Sequence, residues 1–380
     1  MTSPGDRDAL VHRLQERLVR LCLVPSPSRD ERAVADLLTE EFGTLGMDVR
    51  EDDAGAHTGG NAGNLVAELP GGRAERVVLA AHMDTVPLVP GEPLVAEVAG
   101  SVVRSSGRQI LGADDKAGVA VILELLARAA RTGYEHRPTL VAVVTVCEEL
   151  GLLGAKHLDV AALGADFAYS FDGEVQVGEV ITSAVFKDDV TVTVTGKAAH
   201  AALEPERGVH AIKATAEVVA AVPLGRVAAD QVLNFGAIRG GGPTNVVPSE
   251  VVLRGEFRAF SKTRLDELAA DVTARAEAAA ARHGASVAIE RRHLYDGYAV
   301  AADAGPMQRL AAAAPALGER LTPVASIGGS DTSILNQKGL LTVNVGVAMH
   351  EIHSVGEWID ADDLARVVEW VGTALGLAGA

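Results

Sequence analysis

The sequence predicts an α/β fold: a domain with a mixed, largely parallel sheet flanked by helices, interrupted by an inserted α+β, ferredoxin-like domain. Three observations carry this. Apolar runs alternate with helix-like stretches towards both ends of the chain, the middle switches to period-two alternation, and 380 residues is long for a single core.

In the outer part, Val77 to Ala81, Leu140 to Cys147, Phe167 to Phe171 and Leu341 to Val347 are short apolar or β-branched runs, the pattern of strands buried on both faces. Ala117 to Arg131 is rich in Ala, Leu, Val and Ile, with Gly133 just past its end, and reads as a helix; so does Leu364 to Leu375. Strands alternating with helices imply a parallel sheet. In the middle, Val190 to Thr195 and Glu250 to Ala259 alternate cleanly, while His210 to Val222 and Arg264 to His283 read as helices. The expected division is therefore an inserted domain over 183–296 and an outer domain formed by 1–182 and 297–380. Gly240-Gly-Gly-Pro243 lacks the Gly-Lys-Ser/Thr ending of a phosphate loop and reads as a turn.

Composition narrows the function classes. The net charge is −17 and no Lys/Arg cluster occurs, which argues against a nucleic-acid partner. No stretch approaches the roughly 18 unbroken apolar residues of a membrane span. The start is polar over Met1 to Asp8 and helix-like over Ala9 to Leu23, without the apolar centre of a secretory signal, so a cytoplasmic location is expected. Cys22 and Cys147 stand far apart and outside any metal-type spacing, which excludes a disulfide framework. Cys147 reads as a small buried hydrophobe, and its neighbours Glu148 and Glu149 would raise its thiol pKa, making it a poor nucleophile.

The chemistry lies where acidic and imidazole side chains fall relative to the strands. His82 and Asp84 follow the first run directly, Glu148 and Glu149 the second, Asp172 the third, and His353 lies just beyond the fourth. The carboxyl ends of parallel strands open onto one crevice, where ligands bind. Asp114, in Gly-Ala-Asp-Asp-Lys-Ala-Gly, adds a fifth candidate ligand, although Asp114 or Asp115 alone would also serve as an ordinary helix N-cap. Nitrogen and carboxylate donors without thiolate suit catalytic zinc, cobalt or manganese, and two histidines with three carboxylates suffice for two metals if one carboxylate bridges.

These residues sit in His82-Met-Asp-Thr-Val-Pro87, Gly112-Ala-Asp-Asp-Lys-Ala-Gly118, Glu148-Glu-Leu-Gly151, Phe171-Asp-Gly173, Ala199-His-Ala201, Thr244-Asn-Val-Val-Pro248, Gly328-Gly-Ser-Asp331 and His353-Ser-Val-Gly-Glu-Trp358. In that order they resemble the M20 metallopeptidases, within them the peptidase T-like branch, over nearly the whole chain. The resemblance implies two zinc ions per chain, with cobalt or manganese as substitutes. Asp114 would bridge, His82 and Asp172 would complete one site, and Glu149 and His353 the other. It further implies Asp84 behind His82, a cis peptide between Asp114 and Asp115, Glu148 as general base and His200 as oxyanion donor. His350 rivals His353, but only His353 meets the pattern of His, three residues, Glu, aromatic.

The inserted domain would act as lid or dimerisation domain, and in a homodimer formed through it His200 would come from the other subunit. Asn245 and Arg258 resemble substrate-binding positions, and the Gly328-Gly329 turn would let backbone approach the substrate; Arg258 could equally be a salt-bridged surface residue. The implied activity is hydrolysis of short peptides, most like a tripeptide aminopeptidase. An N-acyl-amino-acid amidohydrolase or carboxypeptidase uses the same metal chemistry, and a non-catalytic metal- or peptide-binding relative would keep the same fold. Ser326-Ile327 stands where peptidase T members carry an Arg before the double glycine, which leaves strict tripeptide specificity open.

Overall fold

The computed structural model describes residues 4–318 and 320–377, and the chain forms two compact units. The first comprises the described residues through Thr182, Ala299–Ala325 and those from Ser330 onward; the second comprises Ser183–Tyr298 and Ser326–Gly329. The first three residues of the polar start lie outside the described residues.

The larger unit is built on a nine-stranded mixed sheet. Four strands at its centre are mutually parallel and adjacent in the order Thr139–Thr145, Arg76–His82, Phe167–Gly173, Thr342–Gly346. Leu65–Leu69 and Asp48–Glu51 add antiparallel strands on one side, and Glu179–Ala184 pairs antiparallel on the other. Strands Arg76–His82 and Thr139–Thr145 are apolar over most of their length, and the side chains of all four central strands are almost all buried because helices cover both faces. Helix Ala113–Arg131 lies in the main core with Leu10, Leu14 and Leu18 of helix Pro4–Cys22 and with Leu364, Val368 and Trp370 of helix Ala361–Ala374. The last of these begins where Asp360 accepts the N–H of Asp362 at 2.9 Å, a side-chain cap.

Two differences from the sequence reading have local causes. The first helix starts at Pro4 instead of Ala9, with Asp6 in its first turn, a placement that suits the helix dipole. A small three-stranded sheet of Glu97–Ala99, Val102–Arg104 and Trp358–Asp360 was not expected, because its strands are three residues long and the Trp358↔Arg104 pairing joins distant segments. Among the described residues no helix is long and apolar enough to cross a membrane.

The smaller unit has the order strand Phe186–Thr195, helix Ala211–Ala221, strands Gln231–Gly240 and Glu250–Ala259, helix Lys262–Ala281, strand Ser286–Tyr295, with a short edge strand Gly225–Ala228. All neighbours pair antiparallel, and the first strand lies between the third and the fourth, the ferredoxin-like arrangement. One face carries Val190, Val192, Val194, Leu253 and Phe257 against Val218, Leu265, Leu268 and Val272 of the two helices. The alternate positions carry polar groups, which is the period-two pattern read in the sequence.

Candidate metal centre

The site lies in the larger unit, at the carboxyl ends of the four parallel strands. His82 closes one strand, Asp172 lies near the end of the next, and Glu148 and Glu149 follow the turn after a third. Asp114 enters from the start of the buried helix. There the chain does not begin as a regular helix: Asp114 (φ −80°, ψ 107°) and Asp115 (φ −114°, ψ 38°) are non-helical and joined by a cis peptide bond, as the resemblance implied. The two aspartates divide the roles left open by the sequence. Asp115 Oδ1 accepts the N–H of Gly118 at 3.0 Å, a cap three residues on, while Asp114 is directed at the two histidines. Gly118 is required there, since a Cβ would lie 2.5 Å from Asp115 Oδ1 and 2.7 Å from the carbonyl of Phe171.

The donor atoms form two trios that share one residue. Asp114 Oδ1 lies 3.1 Å from His82 Nε2, which is 3.9 Å from Asp172 Oδ1; Asp114 Oδ2 lies 3.0 Å from His353 Nε2, which is 2.8 Å from Glu149 Oε1. Within each trio, and within a third formed by His82, Glu148 and Glu149, the atoms lie within 4.8 Å of one another. All five sequence-predicted ligands therefore meet here. His350 does not join them; its ring stacks on Trp358 at 3.8 Å.

Electrostatics test whether such a group belongs. Among the described residues the cluster sets Asp84, Asp114, Asp115, Glu148, Glu149, Asp172 and Asp331 around two imidazoles, with Lys116 nearby but donating to the carbonyl of Val24, and most of these carboxylates are buried. Burial, followed by neighbouring carboxylates, pushes Glu148 and Asp172 well above the ordinary carboxylate range. Burial opposes the charge on Asp114 too, yet hydrogen bonds with His353 and His82 hold it below its usual value. Hydrogen bonds to Asp114 and then to Glu149 raise His353 to about 10. A buried, cation-poor set of nitrogen and oxygen donors, with one carboxylate offering an oxygen to each side, fits two divalent cations.

Around the ligands, buried partners fix the backbone. His82 Nδ1 meets the carbonyl of Asp84 at 3.0 Å, with the Asp84 carboxylate further off at 3.4 Å. That carboxylate has shorter bonds elsewhere: Oδ1 accepts the N–H of Glu148 at 2.9 Å, and Oδ2 accepts the Ser28 hydroxyl at 2.7 Å and the N–H of Glu149 at 3.2 Å. Asn344 accepts the N–H of Asp172 and donates to its carbonyl. Glu31 accepts from the N–H and the thiol of Cys147, a residue at φ 52° immediately before Glu148. Glu357 accepts three backbone N–H groups, that of Asp114 among them. Glu31, Asn344 and Glu357 were missed by sequence reasoning; only Glu357 carried a signal, as the Glu of the His353 pattern.

The remaining predicted residues belong to the smaller unit. His200 is exposed, forms a bridge with Val246, and accepts the N–H groups of Ala202 and Leu203 at Nδ1. Asn245 sits beside it, its carbonyl accepting from the N–H of Ala201 at 2.9 Å. Arg258 is a half-buried, bidentate ion pair with Glu256, and its Nη1 donates to the carbonyl of Ile327 at 2.8 Å. Gly329 has no side chain because Tyr295 fills the space: a Cβ would lie 2.2 Å from its ring.

Comparison with known proteins places these features. A family model described as Peptidase family M20/M25/M40 matches residues 78–376. The uncharacterized protein YqjE of Bacillus subtilis strain 168 is 34% identical over 360 residues, covering 94% of this chain and 96% of that one. Among solved structures, aminopeptidase PepT from Bacillus cereus ATCC 10987 superimposes with a TM-score of 0.86 at 33% identity, over 96% of this chain and 98% of that one. A tripeptidase from Staphylococcus aureus gives 0.89 at 31% identity, with the same coverage.

Proposed function

This chain belongs to peptidase family M20/M25/M40, and from that membership we propose that it is a two-metal exopeptidase that releases the N-terminal residue of short peptides, tripeptides foremost. The observation that carries the reading is the pair of donor trios sharing the two oxygens of Asp114, with Glu148 at their side. The likeness to an aminopeptidase and a tripeptidase over nearly the full chain supports the substrate class.

His82 and Asp172 would hold one cation with Asp114 Oδ1, and Glu149 and His353 the other with Asp114 Oδ2. Bound there, two divalent cations supply Lewis acidity, polarising the scissile carbonyl and acidifying water. Glu148 takes the proton of the attacking water and returns it to the departing amine. Its burial raises its proton affinity, the direction that a base working near neutral pH needs. The tetrahedral oxyanion is met by His200. Because Nδ1 of that ring accepts two backbone N–H groups, the neutral imidazole carries its proton on Nε2, ready to donate.

Asn245, Arg258 and the backbone at Gly329 are the proposed substrate contacts. Arg258 spends three of its N–H groups on Glu256 and Ile327 and keeps two for a carboxylate. A homodimer through the smaller unit is supported by the outer edge of strand Gln231–Gly240, which pairs with no described strand beyond Leu233 and exposes Ile238 at 64%.

Incubation of the zinc- and cobalt-loaded enzyme with free and N-acylated di- and tripeptides, read by mass spectrometry, tests the reading. Release of the N-terminal residue from free tripeptides is expected. Cleavage of the N-acylated peptides alone would replace the aminopeptidase with an amidohydrolase.

A further inference from the structure

We propose that Glu357 is a positioning residue that sets the distance between the two metal sites, an inference that rests on the two-metal reading above. Glu357 is 1% exposed and both of its oxygens are engaged. Oε2 accepts the N–H groups of Leu111 at 2.8 Å and Gly112 at 2.7 Å, and Oε1 accepts that of Asp114 at 3.0 Å. Glu357 is itself tied to the loop of His353, since its N–H donates to the carbonyl of Ser354 at 3.3 Å, while its carbonyl accepts the N–H of Ser105, just after strand Val102–Arg104. One carboxylate thus fastens the segment carrying the shared ligand to the loop carrying His353.

Both segments need such a fastener. Gly112 (φ 74°), Asp114 and His353 (φ 60°) lie outside regular structure, so no repeating backbone ladder holds them. His82 and Asp172 differ, because each lies on a central strand of the sheet, and the two strands pair with each other. Hydrogen bonds from backbone N–H to a buried carboxylate are among the stronger ones, and packing alone would be served by an apolar side chain. Loss of the Glu357 carboxylate leaves the His82 and Asp172 half in place and lets Asp114 and His353 move relative to each other. The site of Glu149 and His353 is the one that weakens.

The test measures metal affinity site by site, by chelator competition, together with the visible spectrum of each cobalt equivalent. It compares the full-length protein with Glu357→Gln and Glu357→Ala, and adds the melting temperature of the metal-free forms. Glu357→Gln keeps an oxygen for one side of the cradle but sets an NH₂ against the N–H on the other. We expect it to bind its first metal as the parent does and its second about 10–100-fold more weakly, with an altered spectrum for the second cobalt. Unchanged affinities and spectra with only a lowered melting temperature would overturn the proposal and leave Glu357 a purely structural residue. Should Glu357→Ala not fold, Glu357→Gln decides alone. A parent protein that binds fewer than two metals would instead defeat the two-metal reading itself, before any variant is compared.

Discussion

The carboxylate of Asp84 accepts the backbone N–H of Glu148 at 2.9 Å, across 64 positions of sequence. Its second oxygen does the same for Glu149, so one buried side chain holds the proposed base and a proposed ligand at once. Asp84→Ala would leave two N–H groups without their acceptor and free the turn. Turnover is expected to fall about 10–100-fold, with a matching loss of affinity at the Glu149 site. Steady-state kinetics beside metal analysis of the dialysed protein checks this; full metal retention with normal turnover would remove Asp84 from the account.

Glu148 makes the opposite prediction. It is close to His82 and Glu149, yet the two trios sharing Asp114 are complete without it. Glu148→Gln therefore keeps two metals per chain and loses about 10²–10⁴-fold in kcat, the range of a lost general base. Loss of a metal equivalent would show that the side chain is a ligand.

The proposed contact of His200 Nε2 with the oxyanion predicts that His200→Ala lowers kcat by about 10²–10³-fold while metal content stays intact. If the ring serves the other subunit of a homodimer, two inactive variants repair each other. Mixing His200→Ala with Glu148→Gln under conditions of subunit exchange is expected to recover activity, up to about a quarter of the parent in a two-fold symmetric dimer. A mixture as inactive as its components would place His200 in its own chain's site or outside catalysis.

Much of this centre was legible because strands announce themselves by composition. Val77 to Ala81 and its three counterparts are apolar or β-branched over most of their length, and the ionisable residues that follow each could be read as groups at the crevice, although after the fourth run the first is His350 and the candidate is His353. The helix read from Ala117 starts close to where regular helical dihedrals resume after Asp115; the non-helical Asp114 and Asp115 before it were not legible, because no periodicity records a departure that tertiary packing imposes. Glu31 and Asn344 were invisible for a related reason, and Glu357 was legible only as the Glu of the His353 pattern, not by what it holds. Their partners are backbone groups 116, 172 and 243 positions away, and a hydrogen bond to backbone leaves no mark on the identity of the residue that donates it. Gly329 could be picked out as a glycine, but only the packing of Tyr295 gives the reason for it.

Cys22 offers a test of the interior that is independent of the metals. It is 1% exposed, and burial, with Glu357 adding to it against Lys116, pushes its thiol from an ordinary 9.0 up to about 12. Between those values the unfolded chain has lost the proton that the folded chain retains, so stability falls as pH rises from 9 towards 12 and is fully present below 9. By pH 10.5 the contribution lost is about 2 kcal/mol, at roughly 1.4 kcal/mol per unit. Cys22→Ala is less stable at pH 8 because it leaves a small void, but it lacks this titration. Urea unfolding of both proteins between pH 8 and 10.5 should show the gap between them narrowing by about that 2 kcal/mol. Parallel curves would mean that the Cys22 thiol ionises in the folded protein as readily as in the unfolded one.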